Sequence, residues 1–382
     1  MQRTHAEGAL NVLTGTPLLP TYARFPITFV DGEGTWLIAD DGQRYLDLIA
    51  GIAVVSLGHC HPAPLAAAKE QLERLWHVSN LYSTEPMENL ARALSEKFGG
   101  AHAFFCNSGA EAIEAALKWA RKSTGKTGLV ALEGSFHGRT MGALSITGQP
   151  AKQVPFRPLI PDVRFATPET LAGAVGPDTA AIVMEPVLGE GGVLPLSAET
   201  LEEARSLADE NDALLIFDEV QTGIGRTGEF FAWQRHGVRP DAVTLAKGLA
   251  NGLPIGALLV SDHAPTGFVP GDHASTFGGN PVACAAACAV VAAIDDEMLA
   301  HVRAIGERFE AQLDGVRGAG LLLAVELGRP AGPVAHAALE HNLLVGTAGD
   351  TALRLAPPLT ITTEEADLGV DLLRETLGDS RA

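Results

Sequence analysis

A chain of 382 residues is long enough to bury a sizeable core and is expected to form two domains. Its 46% hydrophobic content with mixed charge marks a globular protein rather than a disordered one. The formal charge of −19 argues against nucleic acid and anionic membrane surfaces as partners, because no basic patch is left to neutralise phosphates. Cys60, Cys106, Cys284 and Cys288 form no CxxC pair and no metal-ligand framework, so no metal is expected and a reducing, cytoplasmic compartment fits. The N-terminus shows no charged-then-apolar leader. The longest apolar run, from Pro281 to Ile294, stops at Asp295-Asp296 and is too short to span a bilayer.

In chain order, Phe29–Glu33 and Thr35–Leu48 read as hairpin-like strands about an Asp40-Asp41-Gly42 turn. Short apolar runs then alternate with helical patterns. Strands are predicted at Ala103–Phe105, Gly128–Leu132, Ala180–Met184, Leu214–Phe217, Ala242–Leu245 and Ala257–Val260, with helices such as Ala110–Arg121 and Ser197–Glu210 between them. Beyond a buried helix starting near Pro281 come a helix, a strand at Gly320–Leu327, a helix, a strand at Ala352–Leu355 and a closing helix. The expected fold is α/β. A large domain over 56–283 carries a mostly parallel sheet flanked by helices, and a smaller α+β domain is built from 1–55 and 284–382. Ligands in such sheets gather at the carboxyl ends of the strands.

Two residues at such ends direct the chemistry. Asp218 opens Asp218-Glu219-Val220-Gln221 after a buried strand, and Lys247 ends the next strand pattern, 29 residues later. Of the seven lysines, only Lys247 follows an apolar strand and enters a Gly-rich turn (Gly248, Gly252, Gly256); Lys69, Lys97, Lys118, Lys122, Lys126 and Lys152 sit in polar sequence. An amine able to form a Schiff base, beside a carboxylate able to keep a pyridine nitrogen protonated, matches the needs of pyridoxal phosphate chemistry.

Cys106-Asn107-Ser108-Gly109-Ala110-Glu111-Ala112 leaves a strand and opens a helix, where small residues let backbone N–H groups approach a phosphate. Read alone, it is an ordinary strand–turn–helix with Ser108 as N-cap. In Ser135-Phe136-His137-Gly138-Arg139, Phe136 offers a ring for stacking and Arg139 a fork for a carboxylate. Alone, Phe136 reads as core, Arg139 as a surface ion pair, and His137 as either a general base or a structural hydrogen-bonder. Glu185 and Glu190 lie in a Gly/Pro turn that equally suits solvated acids. Arg354 sits in a strand too apolar for an idle charge and is expected to have a partner. Gly223-Ile224-Gly225-Arg226-Thr227-Gly228 has the G-x-G-x-x-G spacing, but it neither comes directly off the strand nor opens a clear helix, so nicotinamide binding is not expected.

Together these motifs resemble the class III, ornithine-like aminotransferases of the pyridoxal-phosphate fold-type-I superfamily, from Thr21-Tyr22 to Pro358. Gly51-Ile52-Ala53-Val54, Leu57-Gly58-His59-Cys60-His61-Pro62 and Val78-Ser79-Asn80-Leu81-Tyr82 resemble the acetylornithine subgroup. Ile52 stands where ornithine aminotransferases usually carry a tyrosine. The resemblance implies that Lys247 bonds the cofactor and that Asp218, within the run that includes Glu219, pairs with its pyridine nitrogen. Gln221 would lie near the phenolic oxygen, Val220 and Phe136 would sandwich the ring, and Gly109 and Ala110 would hold the phosphate. Thr276, with Ser275 beside it, would reach across from a partner subunit, making a homodimer with shared sites. Arg139 would hold the distal carboxylate of each substrate, Tyr22 would contact substrate, and Glu190 would pair with Arg354 in one half-reaction and leave it in the other. The implied activity moves the δ-amine of N2-acetyl-L-ornithine to 2-oxoglutarate, a step of arginine biosynthesis. Other class III donors (N-succinyl-diaminopimelate, ornithine, 4-aminobutyrate) and a non-catalytic, cofactor-binding regulator are the alternatives.

Overall fold

Seven strands form the central sheet, in the spatial order Ala101–Cys106, Gly256–Ser261, Ala242–Leu245, Leu214–Asp218, Thr179–Met184, Gly128–Leu132, Val163–Ala166. The structure is a computed structural model describing residues 17–379, so the ends of the expected small-domain segments, 1–16 and 380–382, lie outside the described residues. Every residue of Gly128–Leu132, Thr179–Met184, Leu214–Asp218, Ala242–Leu245 and Gly256–Ser261 is buried, because helices cover both faces. All six predicted strands are present. The sheet is mixed, since Gly256–Ser261 runs antiparallel to both of its neighbours. The edge strand Val163–Ala166 was not among the predicted elements; only its last residue is buried, so it lacks a continuous apolar run.

Helix Gly109–Thr124 begins at the end of the first central strand, with Ser108 Oγ accepting from the Glu111 amide at 3.2 Å. Ser197 caps helix Ala198–Glu210 in the same way. The apolar run from Pro281 forms helix Pro281–Ala293, capped by Asn280, with its alanines and cysteines packed on helices Pro62–Leu72 and Glu85–Phe98. This helix runs across the expected boundary at 283/284. Among the described residues no helix is long and apolar enough to cross a membrane.

The N-terminal segment is a three-stranded meander, Phe29–Glu33, Trp36–Ala39 and Arg44–Asp47, rather than one hairpin. The short strand Leu343–Leu344 pairs parallel with its last strand, which ties the N-terminal segment to the C-terminal one. A further sheet has the order Val316–Ala319, Leu322–Glu326, Ala352–Leu355, Gly346–Ala348.

The G-x-G-x-x-G stretch opens no long helix; it is a buried turn followed only by a 3-10 turn at Ala232–Arg235. Arg226, 2% exposed, donates from Nη1 to the Leu321 and Pro357 carbonyls at 3.0 and 2.5 Å and pins this turn to the C-terminal segment. The Glu219 carboxylate accepts from the Ala232 amide at 2.7 Å and the Trp233 amide at 2.9 Å, closing the loop from its other end. Burial pushes the Glu219 carboxyl up to about 8, against the two amides that favour its ionised form. A folded-state pKa above the unfolded value of 4.5 gives stability that is complete below that value and is lost as pH rises toward 8. The unfolding free energy of Glu219→Gln relative to the parent is therefore expected to rise between pH 5 and pH 9, by a few kcal/mol at most, a tenfold change in proton affinity being worth about 1.4 kcal/mol. A difference between the two proteins that is flat with pH contradicts this.

Candidate active site

The parallel pairing of Leu214–Asp218 with Ala242–Leu245 aligns Asp218 with Thr244. Thr244 Oγ1 donates to Asp218 Oδ1 at 3.1 Å, and the Val220 amide donates to the same oxygen at 3.0 Å. On the other carboxylate oxygen, His137 Nδ1 lies 2.7 Å away. Burial works against protonation of His137, but the hydrogen bond and charge of Asp218 outweigh it and raise its pKa. Both oxygens of the buried carboxylate thus have donors, and the His137 ring stands behind it.

Lys247 follows three residues after Thr244, at the start of a 3-10 turn and with φ of 42°. This left-handed backbone turns the chain back into the antiparallel strand Gly256–Ser261. Burial pushes the amine's pKa down, with Glu190 pulling it up and Arg354 reinforcing the depression. The amine forms no hydrogen bond or ion pair among the described residues. Acid and amine share one cavity of about 410 Å³, lined among others by Val54, Ser108–Ala110, Phe136–Arg139, Glu185, Val220 and Gln221.

Two glycines there are required by close approach. A Cβ on Gly109 would meet Val220 Cγ1 at 2.8 Å, and one on Gly138, whose φ is 136°, would meet Ala110 Cβ at 2.8 Å. Backbone N–H groups at the start of a 16-residue helix therefore face the cavity without side chains in front of them, the arrangement that suits a phosphate. With Lys247 unpaired, Asp218 satisfied and Phe136 and Val220 in the wall, the residues present fit pyridoxal phosphate.

Glu185, unassigned by the sequence pattern, clasps two loops. Its Oε1 accepts from the Phe136 amide at 2.8 Å and its Oε2 from the Gly189 amide at 3.0 Å. Burial raises its pKa well above the carboxylate range, opposed by the charge of His137. Next along this loop Glu190 forms an ion pair with Arg354 Nη1, and Gln221 Oε1 accepts from the same nitrogen at 3.3 Å. Burial opposes ionisation of Glu190, yet Arg354 holds its pKa below the ordinary value. Arg354 is 3% exposed and its Nε has no partner, so the pair is enclosed but not saturated.

Six expected site residues do not line this cavity: Glu190 and Arg354, a pair that meets its wall through Gln221, and Glu219, Tyr22, Ser275 and Thr276. Glu219 turns its carboxylate away, into the Ala232–Trp233 amides, because successive residues after a strand end face opposite sides. Tyr22 is 70% exposed and lies against Arg24, with the guanidinium carbon 5.5 Å from its ring centre. Ser275 Oγ is occupied by Asn107 Nδ2 at 3.1 Å and the Gly278 amide at 3.0 Å. Thr276 opens instead on a separate cleft with His77, Asn80 and His273. Val54 and Thr244 were missed. Thr244 is the one polar residue in an apolar strand and was legible as such, whereas Val54 arrives through a chain reversal at Gly51 and Ile52 that no local pattern announces. A larger cleft, of about 920 Å³, lies beyond Gly134 among Glu133, Gln153 and Arg157–Phe165 and holds none of the expected residues.

The Aminotransferase class-III family matches residues 20–377. Acetylornithine aminotransferase of Corynebacterium efficiens is 47% identical over 97% of this chain and 98% of its own. That of Methanopyrus kandleri is 47% identical over 94% and 96%. Among solved structures, the ornithine aminotransferase of Toxoplasma gondii superposes with a TM-score of 0.89 at 31% identity, covering 94% of this chain and 92% of that one. The N-acetylornithine aminotransferase of Stenotrophomonas maltophilia gives 0.80 at 34% identity, covering 93% and 96%. The fold, the paired strand ends and this likeness agree: the chain belongs to the class III aminotransferases.

Proposed function

We propose that this enzyme transfers the δ-amine of N2-acetyl-L-ornithine to 2-oxoglutarate, giving N-acetyl-L-glutamate 5-semialdehyde and L-glutamate, with pyridoxal phosphate as cofactor. The observation that carries the reading is the enclosed pair of Lys247 and Asp218 facing one cavity, in a chain 47% identical to acetylornithine aminotransferases. Bound there, pyridoxal phosphate supplies an electron-accepting ring and an aldehyde carbon that carries the amino group from one substrate to the other. Lys247 and Asp218 would hold it from two sides, Phe136 and Val220 would cover its faces, and the helix start at Ser108–Ala110 would take its phosphate.

The chain's own groups then do two jobs. Lys247 Nζ, whose pKa burial lowers, would take the proton from the reacting substrate carbon and return it to the carbon on the other side of the transferred nitrogen. The Asp218 carboxylate is oriented by His137, Thr244 and the Val220 amide, so that it would favour a positive charge placed beside it.

The two substrates differ near the reacting carbon, where 2-oxoglutarate has a carboxylate and acetylornithine has none. Arg354 is the cation placed for that carboxylate, and Glu190 neutralises it when the carboxylate is missing. Leaving Arg354 unpaired in a buried site costs several kcal/mol, so exchanging partners is favoured over removing one. Arg139, exposed at the mouth, is the distal carboxylate partner for both. We further propose a cytoplasmic homodimer in the arginine pathway, built from a large domain over 56–283 and a small one over 1–55 and 284–382. In it Thr276 and Ser275 serve the partner's site. Support comes from Trp76, Leu81, Tyr82 and Phe277, each more than 60% exposed around the cleft that holds Thr276.

The test is a donor panel of acetylornithine, N-succinyl-diaminopimelate, ornithine and 4-aminobutyrate with 2-oxoglutarate. Acetylornithine is expected to give the highest kcat/KM, and Lys247→Ala to lower turnover at least ~10³-fold, because nucleophile and proton carrier vanish together. Another donor ahead by tenfold would replace the reading.

Glu190→Ala frees Arg354 for carboxylates and is expected to shift preference toward glutamate as donor by ~10-fold or more, the rupture of a desolvated pair being worth about 2–5 kcal/mol. Arg354→Ala should hurt the 2-oxoglutarate half-reaction far more than the acetylornithine one. Half-reaction rates decide this, and parallel losses for both substrates would show that the pair only holds the fold together.

A further inference from the structure

Phe136 carries two cations, and only one of them has a role above. The Arg139 guanidinium carbon lies 5.5 Å from the Phe136 ring centre, and Lys152 Nζ lies 5.7 Å from the same centre. In a chain with 46 acidic residues against 27 lysines and arginines, neither cation forms an ion pair with an acid among the described residues. Lys152 Nζ has a neutral partner instead, Gln149 Oε1. Two like charges beside one ring repel each other. The pKa of Lys152 is lowered accordingly, first by burial and then by Arg139, with Glu190 acting in the opposite sense. That repulsion is relieved by an anion bound between them.

Lys152 is also held in place rather than trailing in solvent. It sits on the one-turn helix Pro150–Gln153. Gln149 Nε2 donates to the Gly134 and Ser135 carbonyls at 3.2 and 3.4 Å, which braces Lys152 to the loop that carries Phe136. On the far side, the buried Gln153 amide donates to the Leu144, Ser145 and Thr147 carbonyls at 3.1, 3.1 and 2.9 Å. The segment 149–153 is thus fastened at both ends around a half-buried lysine with no acid to serve.

We infer that Lys152 is a second cation of the substrate site, which together with Arg139 clamps the carboxylate at the end of the substrate remote from Lys247. The guanidinium provides a planar fork and the ammonium a point charge, so one carboxylate satisfies both. The ligand class is an acid whose carboxylate lies several bonds from the reacting carbon, which both proposed substrates are. The inference rests on the aminotransferase reading for the direction in which substrates lie, but not on the identity of the donor.

The experiment compares the parent with Lys152→Gln and Lys152→Arg, all loaded with cofactor. Calorimetry reads the affinity for glutarate, a dicarboxylate that neither donates nor accepts an amine, and steady-state kinetics read KM for acetylornithine and for 2-oxoglutarate. Loss of one charge-assisted contact is expected to weaken glutarate and raise both KM values about tenfold, with the loss falling on KM rather than kcat. Lys152→Arg should restore most of it, and rising salt should weaken glutarate more steeply in the parent than in Lys152→Gln. Unchanged glutarate affinity and unchanged KM values overturn the clamp. So does a loss confined to 2-oxoglutarate, which would attach Lys152 to the Glu190–Arg354 exchange. A loss in Lys152→Gln that Lys152→Arg does not restore, accompanied by a lower melting temperature in both, would make Lys152 structural. If the parent ignores acetylornithine while glutarate binding still depends on Lys152, the donor reading falls and the clamp stands.

Discussion

Three donors converge on the Asp218 carboxylate: the Thr244 hydroxyl, the Val220 amide and the His137 ring. An acid buried to 3% exposure has to be paid for by such bonds, since a carboxylate taken from water without partners would simply take up a proton. The strand register supplies Thr244, the turn after the strand supplies Val220, and the loop after Gly128–Leu132 supplies His137. Each donor comes from a different element, so the carboxylate is bonded in this way only when the sheet is assembled. The same register sets where Lys247 stands, three residues beyond Thr244, which makes the relative position of acid and amine a property of the central sheet rather than of flexible loops.

Around this fixed pair the charges that differ between substrates sit on connected loops. Glu185 spans the Phe136 and Gly189 amides, so the wall that carries Arg139 and the loop that carries Glu190 share one buried carboxylate. Arg354 enters from the strand Ala352–Leu355 of another sheet and meets Glu190 and Gln221 there. The cavity is therefore walled by the ends of the central strands and their loops, and an arginine from the C-terminal segment touches that wall through Gln221. In the proposed exchange Arg354 would change partner at a point bonded to Gln221 and not to Asp218.

Much of this was legible in the residues. The buried strands announce themselves as continuous apolar runs, and Asp218 and Lys247 stand out because a charge directly after such a run has to have a purpose. Arg354 in an apolar strand was readable for the same reason and did acquire a partner. Illegible were the features that need the third dimension. The antiparallel direction of Gly256–Ser261 leaves no mark on its composition, and the edge strand Val163–Ala166 has one buried residue and no pattern. Glu219 sits in the same four-residue run as Asp218 and was grouped with it, but the pleat sends it to the opposite side. Glu185 and Lys152 look like ordinary polar loop residues until the elements around them are folded into place.

The central claim is that Lys247, alone among seven lysines, is the amine that holds the cofactor. The direct measurement is borohydride reduction of the cofactor-loaded protein, which locks the cofactor carbon onto whichever amine bears it, followed by digestion and mass spectrometry of every lysine-containing peptide. The account predicts the added mass on Lys247 at near-stoichiometric yield and on no other lysine. Stoichiometric label on Lys152, or label spread over several lysines with Lys247 unmodified, would contradict it.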